Sequence, residues 1–228
     1  MTSPTTTLAS RITFHPESGN SLASEHLIYF ITGNPGLIAY YNTFLTTLHA
    51  LLSDSSNPPS DIFHIHGQSL AGFEDDPSKN PRQFPYSLEQ QIAISLTSLI
   101  SQVIPTGARK GQPYTSIILI GHSVGSYILM EIIQRLRKTS SSIHIKAGIL
   151  LFPTVTHIAK SPSGIKISTL FRIPDFARRA SFLAKGLVAF TPTGVLQWLV
   201  GLVARMPSDA AEVTTRFLKS RMGVWQAL

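Results

Sequence analysis

The sequence predicts an α/β protein: a sheet rich in parallel strands, helices on both of its faces, and a helical apolar lid after it. Three observations carry that prediction. Short apolar, β-prone runs alternate with helical patterns as far as Leu151, an order that sets successive strands parallel and puts the connecting helices on the faces of the sheet. One strand-to-helix junction is the tight run Gly121, His122, Ser123, Val124, Gly125. From His157 onward the alternation stops, and the chain becomes helical, basic and apolar by turns. With 228 residues, 43% of them hydrophobic, there is material for one sizeable domain with a buried core.

Taken in order, residues 11–14 add an edge strand. Residues 26–32 form an apolar strand that ends in Gly33, Asn34, Pro35 and Gly36, which cannot continue a strand and must turn. A helix follows over 38–52. The Ser, Asp, Asn and Pro-rich stretch 53–60 links it to a second strand over 61–66, and an irregular loop covers 67–85. The next helix runs over 87–104. Residues 117–120 are the strand before the tight junction, 126–137 the helix after it, and 145–151 another buried strand ahead of Phe152 and Pro153. The expected division is a core over 1–156 and a helical lid or membrane-surface segment over 157–228.

The most apolar stretch, 181–204, includes Phe182, Leu187, Phe190, Trp198 and Leu202. Pro192 and Gly194 divide it into two short helices, each below the roughly 20 residues needed to cross a bilayer. Flanked by Arg178, Arg179 and Arg205, they are expected either to lie in an interface with Trp198 at headgroup depth, or to close over the sheet as an ordinary lid. The two roles are compatible.

Composition narrows the partners. There is no cysteine, which excludes a disulfide framework and a thiolate metal site; neither a metal nor a cofactor is expected. Residues 1–10 are polar and threonine-rich, without the basic start and apolar stretch of a signal peptide, so synthesis in the cytosol is expected. Charge is divided unevenly: residues 1–104 hold 3 basic and 8 acidic side chains, residues 105–228 hold 16 and 4. Basic residues interleaved with apolar stretches suit an anionic phospholipid surface better than nucleic acid, which is not expected as a partner. A solvated basic face with no partner is the alternative.

The chemistry converges on Ser123. Strand, tight turn and helix around Gly-x-Ser-x-Gly make a nucleophile elbow, which lifts the serine hydroxyl above the sheet while Gly121 and Gly125 let strand and helix pass closely. A serine hydroxyl needs a base, a carboxylate to orient that base, and donors for the oxyanion. One donor is the Val124 backbone N–H, at the positive end of the following helix. The second comes from the Gly33–Gly36 turn; Pro35 has no N–H, so Asn34 supplies it by backbone or side-chain amide. His122 adjoins Ser123 but points elsewhere at a sharp turn and packs beside it. His144 precedes its strand and lies at the wrong end of the sheet. His157 follows a strand on the correct side, yet no strand bearing an acid stands between Ser123 and it, and a helix-terminal or loop-packing role suits it better. Asp75 and Asp76 are expected to be solvent-exposed. No complete triad can be assembled from these residues.

Gly33, Asn34, Pro35 and Gly36 with Tyr40 and Tyr41, then Gly121 to Tyr127, then Leu151, Phe152, Pro153, Thr154, His157, Ser161, Pro162 and Gly164, together resemble the lipid droplet-associated hydrolase family. The resemblance implies an α/β-hydrolase fold, serine esterase chemistry on sterol or acyl esters, and residence on the lipid droplet and endoplasmic reticulum. Ser123 matches the family's nucleophile, and the segment after Thr154 matches its droplet-associating region. Family members continue through two further strands, one bearing an Asp in a Gly-x-x-Asp-like turn and the last a His; no position here matches either. The last strands are thus expected to be missing, the chain being a fragment, a shortened gene model or a truncated protein. In the last case an unpaired sheet edge, poor solubility and little turnover would follow. The expected function is hydrolysis of hydrophobic esters at a lipid surface, in lipid storage and turnover, the ester approaching under 181–204. A catalytically incomplete droplet-surface scaffold and a small-molecule esterase or thioesterase with a closed cap are the rivals.

Overall fold

The computed structural model describes residues 9–16, 23–53, 60–73, 85–139, 141–156, 160, 165, 169, 172–173 and 175–220. The chain divides into two compact units: Ser10–Leu70 with Ser87–Thr154, and Met1–Ala9 with Ala71–Tyr86 and Val155–Leu228.

The first unit is a five-stranded sheet. Strands β1 (Arg11–Phe14), β2 (Ser24–Ile31), β3 (Asp61–Gln68), β4 (Ser116–His122) and β5 (Ile145–Leu151) stand in the order β1-β3-β2-β4-β5. Only β1 runs antiparallel to its neighbour; the pairs β3–β2, β2–β4 and β4–β5 are parallel. Helices α1 (Asn42–Ser53), α2 (Leu88–Ile100) and α3 (Val124–Lys138) connect them. Alternate residues of a strand face opposite sides of its sheet. Thus Ile28, Phe30, Ile65 and Ile120 build one core with Ile38 and Leu45, whereas Tyr29, between two of them, sends its hydroxyl to the Ser95 carbonyl of α2. That is the predicted parallel-rich sheet with helices on both faces.

Several boundaries differ from the sequence reading, each for a local reason. The first turn of the predicted 38–52 helix is a separate 3-10 turn, Ile38–Tyr41. Strand β3 continues through Gly67 and Gln68, which pair with β1 and β2 instead of opening a loop. Helix α2 stops at Ile100 because Ile104 is engaged elsewhere: its N–H donates to Gln112 O and its carbonyl accepts from Gly111 N. Its start is sharp, since Ser87 and Gln90 form a reciprocal capping box. Helix α3 begins at Val124, directly after the turn. Strand β5 has the predicted span but is not buried: it borders β4 alone among the described strands, and Ile149 and Leu150 are exposed.

In its described residues the second unit holds helices α4 (Phe176–Phe190), α5 (Thr193–Ala204) and α6 (Ser208–Lys219). The break between α4 and α5 falls at Thr191 and Pro192, while Gly194 lies inside the first turn of α5. Proline ends one helix and fits the start of the next. Lys219 Nζ fastens this joint by donating to Thr191 O and Thr193 Oγ1, both at 3.0 Å. Helix α6 buries Val213 and Phe217, the latter stacked on Phe73. Helices α4 and α5 instead expose Phe182, Leu187, Phe190, Trp198 and Val203. None of the described helices is long and apolar enough to cross a membrane.

Candidate active site

Ser123 is the single residue between β4 and α3. Its backbone is held at φ 53°, ψ −121°, a conformation that costs a non-glycine residue about 1–3 kcal/mol and persists only where the surroundings enforce it. They do so from three sides. Ser123 N–H donates to Leu151 O of β5 at 2.9 Å, and Ser123 O accepts from Ser126 N at 3.0 Å and Thr154 N at 3.3 Å. The flanking glycines are a spatial requirement. A Cβ on Gly121 would stand 2.5 Å from Gly125 O, and one on Gly125 would stand 2.5 Å from Thr32 O. Ser126 Oγ, fully buried, closes the turn by donating to Gly121 O at 2.7 Å.

The Gly33–Gly36 turn is fixed beside this elbow. Leu70 N–H donates to Gly36 O at 2.7 Å, Leu37 N–H to Pro35 O at 2.8 Å, and Ile38 N–H to Ser69 Oγ at 3.0 Å. Gly33 packs directly against His122 and Ser123: a Cβ there would meet Ser123 Cβ at 2.9 Å and His122 Nδ1 at 2.6 Å. Asn34 follows at once and is exposed. Val124 is the first residue of α3, so its N–H is one of the helix-start donors that no preceding turn satisfies. Gly121, Ser123, Val124, Gly125 and the Asn34 turn are therefore gathered at the carboxyl ends of β2 and β4, with the Val124 N–H at the positive end of α3.

Three residues whose roles the sequence did not reveal complete the arrangement. Thr154 Oγ1 lies 3.2 Å from Ser123 Oγ. Tyr41 Oη lies 2.9 Å from His122 Nδ1 and accepts from Gly33 N at 3.1 Å. Phe152 meets the His122 ring edge-on, with centroids 6.0 Å apart. Their only signal in the chain was position: a tyrosine pair soon after the first turn, and Phe-Pro-Thr directly after β5. Burial lowers the pKa of His122 and raises that of Tyr41, the latter against an opposing pull from the Gly33 N–H.

His122 packs beside the elbow as expected, turned toward Tyr41. His144 sits just before β5, its Nδ1 3.3 Å from Thr115 O, at the amino end of the sheet. His157, Asp75 and Asp76 lie outside the described residues. Among the described residues, the hydroxyl of Ser123 has Thr154 as its side-chain partner and no imidazole. A half-buried serine on a strained turn, a helix N-terminus beside it and a second backbone turn against it can present an oxygen nucleophile to a carbonyl and receive the resulting oxyanion.

The chain is similar to known proteins in sequence and in fold. The family model described as lipid-droplet associated hydrolase matches residues 24–228. A lipid droplet-associated hydrolase of Gallus gallus is 28% identical over 202 residues, covering 83% of this chain and 55% of that protein. One of Drosophila melanogaster is 30% identical over 152 residues, covering 63% and 43%. The chain thus spans about half the length of the curated relatives it matches. Among solved structures, juvenile hormone epoxide hydrolase from the silkworm Bombyx mori superposes with a TM-score of 0.54 at 13% identity, over 95% of this chain and 54% of that one. A deformylase from Pseudomonas putida S16 gives 0.51 at 13% identity, over 95% and 67%. The fold is that of the α/β-hydrolases, and with the elbow, the turn before it and the matched length taken together, the chain belongs to the lipid-droplet associated hydrolase family.

Proposed function

We propose that this chain carries the nucleophile of a serine ester hydrolase that acts on hydrophobic esters, sterol or acyl, at the surface of the lipid droplet and the endoplasmic reticulum. The observation that carries the reading is the backbone of Ser123, held at φ 53° directly before α3. Ser123 Oγ attacks the ester carbonyl, and the negative oxygen that forms is received by the Val124 N–H and by Asn34. Collapse expels the alcohol and leaves an acyl-enzyme on Ser123, which water hydrolyses to the acid. Loss of one such donor costs about 2.7–4 kcal/mol of transition-state stabilisation.

The choice of a lipid surface rests on the second unit. Phe182, Phe190 and Val203 are 80%, 91% and 80% exposed, and Trp198 is 64% exposed. Apolar surface of that extent on two short helices, with Arg178 and Arg205 beside it, suits a phospholipid monolayer, into which the rings dip while the guanidinium groups meet headgroup phosphates. The names of the relatives point to the same place.

A fluorophosphonate probe should label the chain and fail to label Ser123→Ala; equal labelling of both would overturn the serine mechanism. The double variant Phe182→Asp, Phe190→Asp should lose flotation with phospholipid-coated triolein droplets while keeping probe labelling. Undiminished flotation would remove the lipid surface from the reading. Flotation without any labelling would select a droplet-surface scaffold.

A further inference from the structure

We propose that Tyr41 is a positioning residue for the oxyanion turn: its hydroxyl ties the Gly33 N–H to the His122 ring and so holds Asn34 in register with the elbow. This rests on the serine reading above and adds to it a residue 82 positions before Ser123.

Two hydrogen bonds meet at one oxygen. Gly33 N–H donates to Tyr41 Oη at 3.1 Å, and the same oxygen lies 2.9 Å from His122 Nδ1. An N–H can only donate, so the phenol oxygen is the acceptor toward Gly33. Giving the phenol proton to Nδ1 then satisfies both groups and places the imidazole proton on Nε2. Burial favours the uncharged form of both rings, as this order requires.

The geometry makes the bridge consequential. Gly33 immediately precedes Asn34 and His122 immediately precedes Ser123, so one hydroxyl joins the two backbones that supply the oxyanion donors. The ring that carries it is itself braced, 4.6 Å from Phe30 and 5.5 Å from His122 between centroids. Gly33 has no space for a side chain of its own against His122 and Ser123, so the turn is located from outside rather than by its own packing. With its N–H committed to Tyr41, Gly33 offers no donor to substrate. That task passes to Asn34, whose peptide orientation depends on the one before it.

Tyr41→Phe keeps the ring between Phe30 and His122 and deletes only the hydroxyl. In the full chain, the fluorophosphonate labelling rate and the kcat for a water-soluble p-nitrophenyl ester should fall about 10- to 100-fold, the scale of a donor misplaced rather than removed. KM and the melting curve should stay near those of the wild type, a split that a purely structural role would not produce. A second route leaves Tyr41 in place. His122→Leu should show the same loss, and His122→Asn, which keeps an acceptor near the position of Nδ1, should recover most of it. Nitrogen-15 spectra should place the His122 proton on Nε2. Wild-type labelling in both Tyr41→Phe and His122→Leu, with none in Ser123→Ala, would overturn the bridge and leave the serine reading standing. A His122 proton found on Nδ1 would reverse the bond, with Nδ1–H donating to an oxygen that accepts twice, and the bridge would stand; labelling that survives Ser123→Ala would sink the reading beneath it.

Discussion

Strand β4 opens on one serine and is followed at once by another, and the two sit in opposite circumstances. Ser116 opens the strand with Oγ 2.8 Å from His26 Nδ1, and His26 Nε2 lies 2.8 Å from Asp61 Oδ1. Asp61 Oδ1 accepts from Nε2–H, and an uncharged ring then accepts from the Ser116 hydroxyl at Nδ1, which is the hydrogen-bonding order of a hydrolase triad with the ring nitrogens exchanged. Yet Ser116 and His26 are 2% and 4% exposed. The N–H groups on either side are also committed, Thr115 N to Glu25 O and Ile117 N to His144 O, both at 2.8 Å. Ser123, seven residues later, has no described imidazole partner but has strain, access and a helix N-terminus. Side-chain hydrogen bonding alone does not make a nucleophile; a reachable oxygen beside a helix N-terminus comes first. At the amino end the same residue types join the starts of β2, β3 and β4 into one polar clasp, buried at His26 and Ser116 and open to solvent at Asp61.

The contrast breaks most visibly if the wrong serine reacts. Ser123→Ala should abolish fluorophosphonate labelling; loss of the serine in a serine protease costs about 2 × 10⁶ in kcat. Ser116→Ala should label at the wild-type rate. Labelling of Ser116 in any variant would overturn the distinction. The next largest effect is on folding. Gly125→Ala drives a methyl group into the carbonyls of Ile31 and Thr32, and neither backbone can retreat without opening the β2–β4 ladder. A destabilisation of about 1–3 kcal/mol is expected from chemical denaturation.

What the sequence revealed and what it hid follow from how far apart the cooperating residues lie. Gly121, Ser123 and Gly125 encode their close approaches within five positions, so the elbow could be read directly, although α3 starts at Val124 rather than at Ser126 as read. The Asn34 turn was legible because Gly33, Pro35 and Gly36 forbid a strand. Tyr41 meets His122 from 81 positions away, and Thr154 meets Ser123 from 31; no local pattern announces such pairs. The His26, Asp61 and Ser116 clasp draws one residue from each of three strand starts and was missed for the same reason. The apolar composition of β5 suggested burial, but burial depends on neighbours: β5 packs on β4 and α3 and leaves Ile149 and Leu150 exposed. In the helical unit the proline was read correctly as a break, whereas Gly194, given the same weight, is absorbed into α5.

Acid should act on the buried polar interior. His66 on β3 is 4% exposed and stacked on Tyr29. Burial first, and the positive charge of Arg11 second, push its pKa down to about 4. In the unfolded chain it returns to an ordinary value near ~6.5. Between those values the unfolded state binds more protons, so stability is intact above the unfolded value and is lost as pH falls toward the folded one, by about 1–3 kcal/mol. His64 adds to this in the same direction, since burial outweighs the opposing pull of Glu25. Melting temperatures recorded from pH 7 down to pH 4 should therefore fall, and His66→Asn should flatten the slope. An unchanged slope would mean that acid acts elsewhere, and the interior would no longer be the acid-sensitive region.

The smallest effect is the sharpest, because its sign differs between the two ends of one strand. Ser123→Gly removes the only side chain from a backbone held at φ 53°. Relief of about 1–3 kcal/mol is offset by about 0.5–1 kcal/mol of extra unfolded-chain entropy. The three backbone hydrogen bonds that hold the turn do not involve the side chain and persist. A net gain of about 1 kcal/mol is expected. Ser116→Ala leaves the His26 Nδ1 acceptor buried and unpartnered and should lose about 1–2 kcal/mol. Urea denaturation with a common slope resolves differences of that size. If both variants destabilise, the strain at Ser123 is not stored in its side chain, and the elbow is held by the same packing as the rest of β4. If Ser123→Gly stabilises while it ends labelling, stability has been given up at one end of the strand to place a hydroxyl where it can react, and the clasp at the other end is where the strand is anchored.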